Sequence, residues 1–273
     1  MLGAIAGDII GSAYEFTMQK RYDFELLPEG SCFTDDSVMT IAVAYWLAHY
    51  DEAGLTDEQL IATMQELGRE YPFAGYGSSF NSWLWSDNPQ PYNSWGNGAA
   101  MRVSPVGLYA ETLEEALNLA KRTAEVSHNH PEGIKGAQAV AAAVWMAKHG
   151  HTKDEIRDYI TEQFHYDLTR TVDEIRPGYQ WDVSCQGSVP ESIICFLEGK
   201  DFVDVVRLAV SLGGDADTMA CIAGSAAACI YPIPEWIVDR CESLLSQSLC
   251  LKMKAFELHA DPKKAPDTSE NQR

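Results

Sequence analysis

Nowhere does this chain alternate apolar and polar residues over an extended run of Val, Ile, Thr and aromatic side chains, so strand signals are nearly absent. Apolar residues instead recur three and four apart, the spacing of one helix face. Over 37–50 they fall at positions 38, 41, 42, 45 and 46. Thr56 opens a second helix over 56–69 as N-cap with Gln59 at N3, followed by Leu60, Ile61, Met64 and Leu67. Thr112 opens a third over 112–126 with the capping-box sequence TLEE. An Ala-rich helix over 131–149 ends at Gly150. Further helices are predicted over 153–163, 187–198, 201–211, 216–230 and 234–248, with Pro190 and Pro234 in the first turns of two of them. Two loops remain, 70–97 and 170–188, the first rich in Gly, Ser, Asn, Pro and Trp. A connector that long is usually functional or disordered, and Trp83, Trp85 and Trp95 argue against disorder. The predicted fold class is all-α: one compact helical bundle over 1–260 with a loop-built cleft, then a polar tail over 261–273.

Charge removes several functions. Against 20 Lys+Arg stand 40 Asp+Glu, a formal net charge of -20. Phosphate-backbone recognition requires clustered cations, so nucleic-acid binding through a basic patch is excluded, and docking on anionic lipid is disfavoured. The longest small and apolar run, 219–231, falls well short of the ~20 residues that span a bilayer. The N-terminus lacks a basic region, and Asp8 interrupts its apolar run, so it reads as mature structure and not as a signal peptide. Seven cysteines without a CxxC pair read as buried free thiols of a cytoplasmic protein, monomeric by default.

Two acidic clusters stand at predicted helix starts: Phe33-Thr34-Asp35-Asp36 and Gly213-Gly214-Asp215-Ala216-Asp217-Thr218. Asp and Thr are preferred N-caps, which accounts for either cluster alone. Each cluster nevertheless carries more carboxylates than one cap needs. If the two converge, carboxylates ~4 Å apart repel by about 4 kcal/mol at an effective dielectric near 20. Hard cations such as Mg²⁺, Mn²⁺ or Ca²⁺, which take carboxylate and hydroxyl oxygens, would remove that conflict. An EF-hand is ruled out, because Ala220 and Ala226 occupy its Gly and Glu positions counted from Asp215. The Asp-x-Asp-Thr order also resembles aspartyl-nucleophile phosphatases of the haloacid dehalogenase type, but no repeated βα pattern accompanies it.

Four stretches together resemble the ADP-ribosylglycohydrolase family: 3–8 through Glu15; 33–36; Ser94-Trp95-Gly96-Asn97-Gly98-Ala99-Ala100-Met101-Arg102; and 213–218. The resemblance implies an all-α fold with a centre of two divalent cations, Mg²⁺ or Mn²⁺. Carried over by motif, it assigns Thr34, Asp35, Asp36, Asp215, Asp217 and Thr218 as ligands, with Asp217 a bridge and Glu15 near the metals or gating the cleft. Catalytic roles fall to Asp35, Asp36, Asp217 and Glu15. Ser94, Trp95, Gly96, Asn97 and Gly98 would meet the substrate, with Gly admitting backbone N–H groups to its pyrophosphate; the alternative is a plain Asn-Gly turn. His128 resembles a family His that contacts ADP-ribose, or else caps a helix end before Pro131, and Asp87 matches an acidic residue of the substrate loop. Trp83, Trp85, Tyr92 and Trp95 either stack on adenine and wall the cleft or pack in the core. The implied activity is metal-dependent cleavage of ADP-ribose from a modified acceptor, by default arginine in protein. The partner is then an ADP-ribosylated protein or a small ADP-ribose conjugate. Serine-linked, O-acetyl and nucleobase-linked conjugates, and a non-catalytic ADP-ribose binding module, stay open beside it.

Overall fold

The computed structural model describes residues 1–51 and 54–260. Its helices are α1 (Leu2–Ser12), α2 (Asp35–Tyr50), α3 (Asp57–Glu70), α4 (Ser78–Leu84), α5 (Gly98–Met101), α6 (Ser104–Tyr109), α7 (Leu113–Glu125) and α8 (Pro131–Lys148). There follow α9 (Lys153–Phe164), α10 (Val172–Ile175), α11 (Cys185–Glu198), α12 (Phe202–Val210), α13 (Ala216–Ile230), α14 (Glu235–Leu244) and α15 (Gln247–Ala260). Among the described residues there is no strand, only one isolated antiparallel bridge between Gly96 and Ser184. The all-α expectation therefore holds, and among the described residues no helix is long and apolar enough to cross a membrane.

The core is built around α13, which is buried from Ala216 to Ala227 and touches α1, α2, α5, α6, α8, α11 and α12. Its closest partner is α1. Gly3, Gly7 and Gly11 recur four apart along one face of α1, and a Cβ on any of them would stand 2.1–2.5 Å from α13 backbone oxygens. The missing side chains let the two backbones touch, which fixes the start of α13 against the end of α1.

Several elements differ from the periodicity, through burial or through a cap. α1 carries no helical stripe because it is buried on all sides. The loop over 70–97 contains α4, whose Phe80, Trp83 and Leu84 are buried. Ser184 accepts from the Gly187 amide and starts α11 at Cys185, two residues earlier than predicted. Pro190 therefore lies inside the helix, not in its first turn, and Gln186 O loses its usual i+4 donor. The 234–248 helix is two helices: Pro234 is the N-cap of α14, and Ser246 accepts from Leu249 N to start α15. At α7 the box is half formed. Thr112 Oγ1 accepts from Glu115 N, but Glu115 Oε2 takes the amide of Glu111 instead of that of Thr112. The seven cysteines are free thiols, with Cys185, Cys195, Cys221 and Cys241 buried and Cys32 exposed. The expected tail over 261–273 lies outside the described residues.

Candidate metal centre and cleft

The two acidic clusters converge. Asp35 and Asp36 open α2, Asp217 and Thr218 lie in the first turn of α13, and Asp215 is its N-cap. Their side chains form the floor of a cleft of about 460 Å³, joined there by Glu15 from the segment after α1. Oxygens of Asp8, Asp36 and Asp217 lie within 4.8 Å of one another, as do those of Glu15, Asp215 and Asp217. Asp217 thus belongs to both groups, the position expected of a shared ligand. Asp35 belongs to neither. It is half-buried, lines the cleft, and turns Oδ1 toward Gly75.

Asp8 is the member that sequence reasoning left out. It is fully buried on α1, where Oδ2 accepts from Thr34 N (3.0 Å) and Ser37 N (3.1 Å) and also from the Ser37 hydroxyl, while Oδ1 accepts from Thr34 Oγ1 (2.7 Å). It clamps the first turn of α2 to α1. Thr34 is accordingly held behind the floor, between Asp8 and Asp36. Thr218 Oγ1 donates to Asp36 Oδ2 at 3.2 Å, linking the two clusters directly. Asn97 Nδ2 donates to Asp215 Oδ2 at 2.6 Å, and Thr218 N to Asp217 Oδ1 at 2.9 Å.

Burial pushes every one of these carboxyls toward the neutral form, reinforced in most by neighbouring carboxylates. Asp8 rises to about 6 despite its bonds from Ser37 and Thr34. Glu15 rises to about 7, through burial and then the charge of Asp215. Asp35, Asp36 and Asp217 stand well above the usual carboxylate range, and Asp215 is raised less because Asn97 stabilises its charge. Among the described residues, no Lys, Arg or His forms an ion pair with any of them. Asp36 Oδ1 is buried and has no hydrogen-bond partner among the described residues. An oxygen-only donor set, crowded, without a cationic side chain and with one buried lone oxygen, fits hard divalent cations.

A wall of the same cleft is made by Tyr92, Ser94, Gly96, Asn97, Gly98 and His128. The expected amide cradle is only partly available there. Gly96 N already donates to Ser94 Oγ (3.0 Å), and Asn97 N to Val183 O (2.8 Å). His128 is buried between Tyr92 and Phe80, with ring centroids at 5.4 and 6.1 Å. Burial, and then the charge of Arg102, hold its pKa well below the ordinary histidine value. Its backbone amide also bonds Ala124 O after α7, so the capping and cleft-lining roles coexist. Trp95 is half-exposed, stands edge-on to His130 and does not line the cleft. Asp87 is exposed and also outside it. Trp83 packs in the core on Phe80, Trp85 is exposed, and only Tyr92 of the four aromatic candidates reaches the cleft. At the mouth, unforeseen, Phe16 stacks on Trp181 at 5.4 Å.

This fold is shared with a solved ADP-ribosylglycohydrolase-related protein complex, at TM-score 0.72 and 25% identity over 95% of this chain and 93% of that one. The model of the ADP-ribosylglycohydrolase family matches residues 1–263, and the chain belongs to that family. Among curated proteins, it is similar to the ADP-ribosylhydrolase ARH3 of Bos taurus, 26% identical over 91% of this chain and 90% of the relative. It is also similar to the ADP-ribosylarginine hydrolase Tri1 of Pseudomonas putida, 25% identical over 87% of this chain and 72% of the relative.

Proposed function

We propose that this chain is a metal-dependent hydrolase that cleaves the glycosidic bond between ADP-ribose and a modified acceptor, arginine in protein being the acceptor of first choice. The observation that carries the metal reading is the meeting of Asp36, Asp215, Asp217 and Thr218 at one cleft floor, with Asp36 Oδ1 buried and unpartnered. The name of the Pseudomonas relative supports the arginine linkage. Asp35, Asp36, Asp215, Asp217 and Thr218 would hold two cations, Mg²⁺ or Mn²⁺, with Asp217 shared between them and Asp8 and Thr34 bracing the set from behind. Bound cations supply Lewis-acid charge next to the reacting sugar.

The chain's own residues do the rest. The Gly96–Gly98 wall, with His128 and Tyr92, receives the ADP-ribose, and the Phe16–Trp181 mouth faces the acceptor. Water attacks the anomeric carbon, the bond to the acceptor breaks, and the acceptor leaves with a proton. Glu15 and Asp35 retain the most exposure in the acidic set, which supports proton transfer to and from the water at their carboxylate oxygens. The scheme differs from that of two-carboxylate glycosidases, because most of these carboxylates would be occupied by metal.

The test incubates the protein with ADP-ribosyl-arginine, ADP-ribosyl-serine and O-acetyl-ADP-ribose, with and without chelator. Release of ADP-ribose from the arginine conjugate, abolished by chelator, is expected. Release from none of the three refutes the hydrolase reading, and release unaffected by chelator refutes the metal role.

A further inference from the structure

Arg102 is 1% exposed, yet among the described residues it forms no ion pair with a carboxylate. Its Nη2 donates to Thr123 O at 2.6 Å and to Ser127 Oγ at 2.8 Å, while its Nε has no partner. Ser127 is itself fully buried, and its hydroxyl lies 2.8 Å from His128 Nδ1. Donor and acceptor capacity then settles the direction of the chain. A guanidinium can only donate, so Ser127 Oγ must accept from it. The one hydroxyl hydrogen of Ser127 is left to donate, and the acceptor beside it is His128 Nδ1. The opposite arrangement, with a proton on Nδ1, would strand that hydroxyl hydrogen in a buried site at the cost of a lost hydrogen bond. A neutral imidazole whose Nδ1 accepts carries its hydrogen on Nε2.

Nε2 points at the Gly96–Gly98 turn. A Cβ built on Gly98 would lie 3.2 Å from it and one on Gly96 3.6 Å. Phe80 and Tyr92 flank the ring and hold its plane. Resting on the functional reading above only for the identity of the ligand, we propose that Arg102 and Ser127 are positioning residues that lock His128 as the neutral Nε2–H tautomer, so that the cleft wall offers one fixed, uncharged donor to an acceptor oxygen of ADP-ribose. The burial of the ring and the nearby guanidinium charge act in the same direction.

The full chain, labelled with ¹⁵N at histidine, tests this by two-bond correlation NMR at neutral pH, with His128 assigned from the signal lost in His128→Gln. A pyridine-type Nδ1 and a pyrrole-type Nε2 are expected; an Nδ1–H tautomer or an imidazolium overturns the proposal. Ser127→Ala removes the hydroxyl and should let both tautomers appear, with ADP-ribose affinity falling about tenfold, the equivalent of one hydrogen bond. His128→Gln, which keeps an N–H near the Nε2 position, should recover most of the affinity that His128→Ala loses. If Ser127→Ala keeps the wild-type tautomer and affinity, Arg102 and Ser127 have no positioning role. If wild-type protein binds no ADP-ribose, the functional reading fails, while the tautomer measurement still decides this proposal by itself.

Discussion

Gly11→Ala separates what α1 does for stability from what it does for the site. A Cβ at Gly11 would stand 2.5 Å from Ala216 O and from Asp217 Cα, and 2.6 Å from Asp217 N. Since carbon contacts are comfortable only from about 3.5 Å, the helices must part by roughly 1 Å there. Two effects compete. Ala is a better helix former than Gly by about 1 kcal/mol, whereas overpacking costs about 1–3 kcal/mol. Here the clashing atoms are backbone, which cannot rotate away, so the cost prevails and a net loss of about 1–2 kcal/mol is expected. In a domain of this size that lowers Tm by roughly 2–8 °C. Gly3→Ala is the control: its Cβ meets Gly224 O at 2.3 Å and Ala228 Cβ at 2.4 Å, two turns away from the acidic floor. Both variants should lose similar stability, but only Gly11→Ala moves the backbone of Asp217, and a 1 Å misplacement near a reacting centre is worth about 10²-fold in rate. Denaturant titration gives the stability, and calorimetric Mn²⁺ binding with turnover at 20 °C below the lower midpoint gives the site. If Gly11→Ala binds Mn²⁺ and turns over like Gly3→Ala, the contact between α1 and α13 does not set the position of Asp217, and the reasoning fails.

The raised carboxyls predict a pH dependence of defined sign. A group whose folded pKa lies above its unfolded value contributes stability at low pH and loses it as pH rises through the folded value. Asp8 at about 6 and Glu15 at about 7, with Asp35, Asp36 and Asp217 also raised well above the usual carboxylate range, make the metal-free protein melt lower at pH 8 than at pH 6; Mg²⁺ or Mn²⁺ should reverse this at pH 8. Differential scanning calorimetry with and without chelator checks it, and a metal-free Tm that climbs from pH 6 to pH 8 contradicts the crowding argument. Asn97→Ala deletes the 2.6 Å donor to Asp215, so Mn²⁺ affinity should fall about ten- to a hundredfold by isothermal titration, as for other groups that orient a ligand from outside the first contact. Asp8→Ala strands the Thr34 and Ser37 amides at the start of α2 and should destabilise by about 3 kcal/mol in urea. Asp87→Ala, outside the cleft, should leave KM for the arginine conjugate within about twofold; a larger change would mean that the 86–91 segment reaches the substrate.

Amphipathic helices were legible because their periodicity is a local property. α3, α7, α9 and α12 lie within a residue or two of the sequence reading. What failed was decided by tertiary contact. α1 has no polar face to produce a stripe, since α13 and its neighbours enclose it. α4 is one short helix of seven residues inside a Gly- and Ser-rich segment, held by burial of Phe80, Trp83 and Leu84. The same division runs through the site. The Thr-Asp-Asp and Asp-Ala-Asp-Thr runs announce themselves as dense local clusters, whereas Asp8 is one acid in an apolar helix and gains its role from residues 26–29 positions away. The phosphate cradle was overread for the converse reason. Gly96 and Asn97 have the right residue types, but Ser94 and Val183 take their amides, and Val183 comes from the other long loop.

That loss of amides changes how a chain of net charge -20 can hold an anionic ligand. Backbone N–H groups of the 94–98 loop were expected to meet the pyrophosphate. With two amides engaged and α5 only four residues long, the wall depends more heavily on Arg102. Burial lowers its pKa to about 10, which leaves it charged at neutral pH. A buried guanidinium without a carboxylate partner projects an uncompensated field into low-dielectric surroundings, where it acts over a longer range than a surface lysine does. The cleft therefore has two poles: a crowded acidic floor whose oxygens suit cations, and a wall with the Arg102 charge behind His128. A ligand with an anion at one end and sugar hydroxyls at the other is oriented by that pair before any single contact is made. Arg102→Met should thus weaken binding of the free diphosphate ADP more than binding of adenosine, whereas loss of packing alone would weaken both equally. Paired titrations of the two ligands, with circular dichroism confirming the fold, decide between these outcomes.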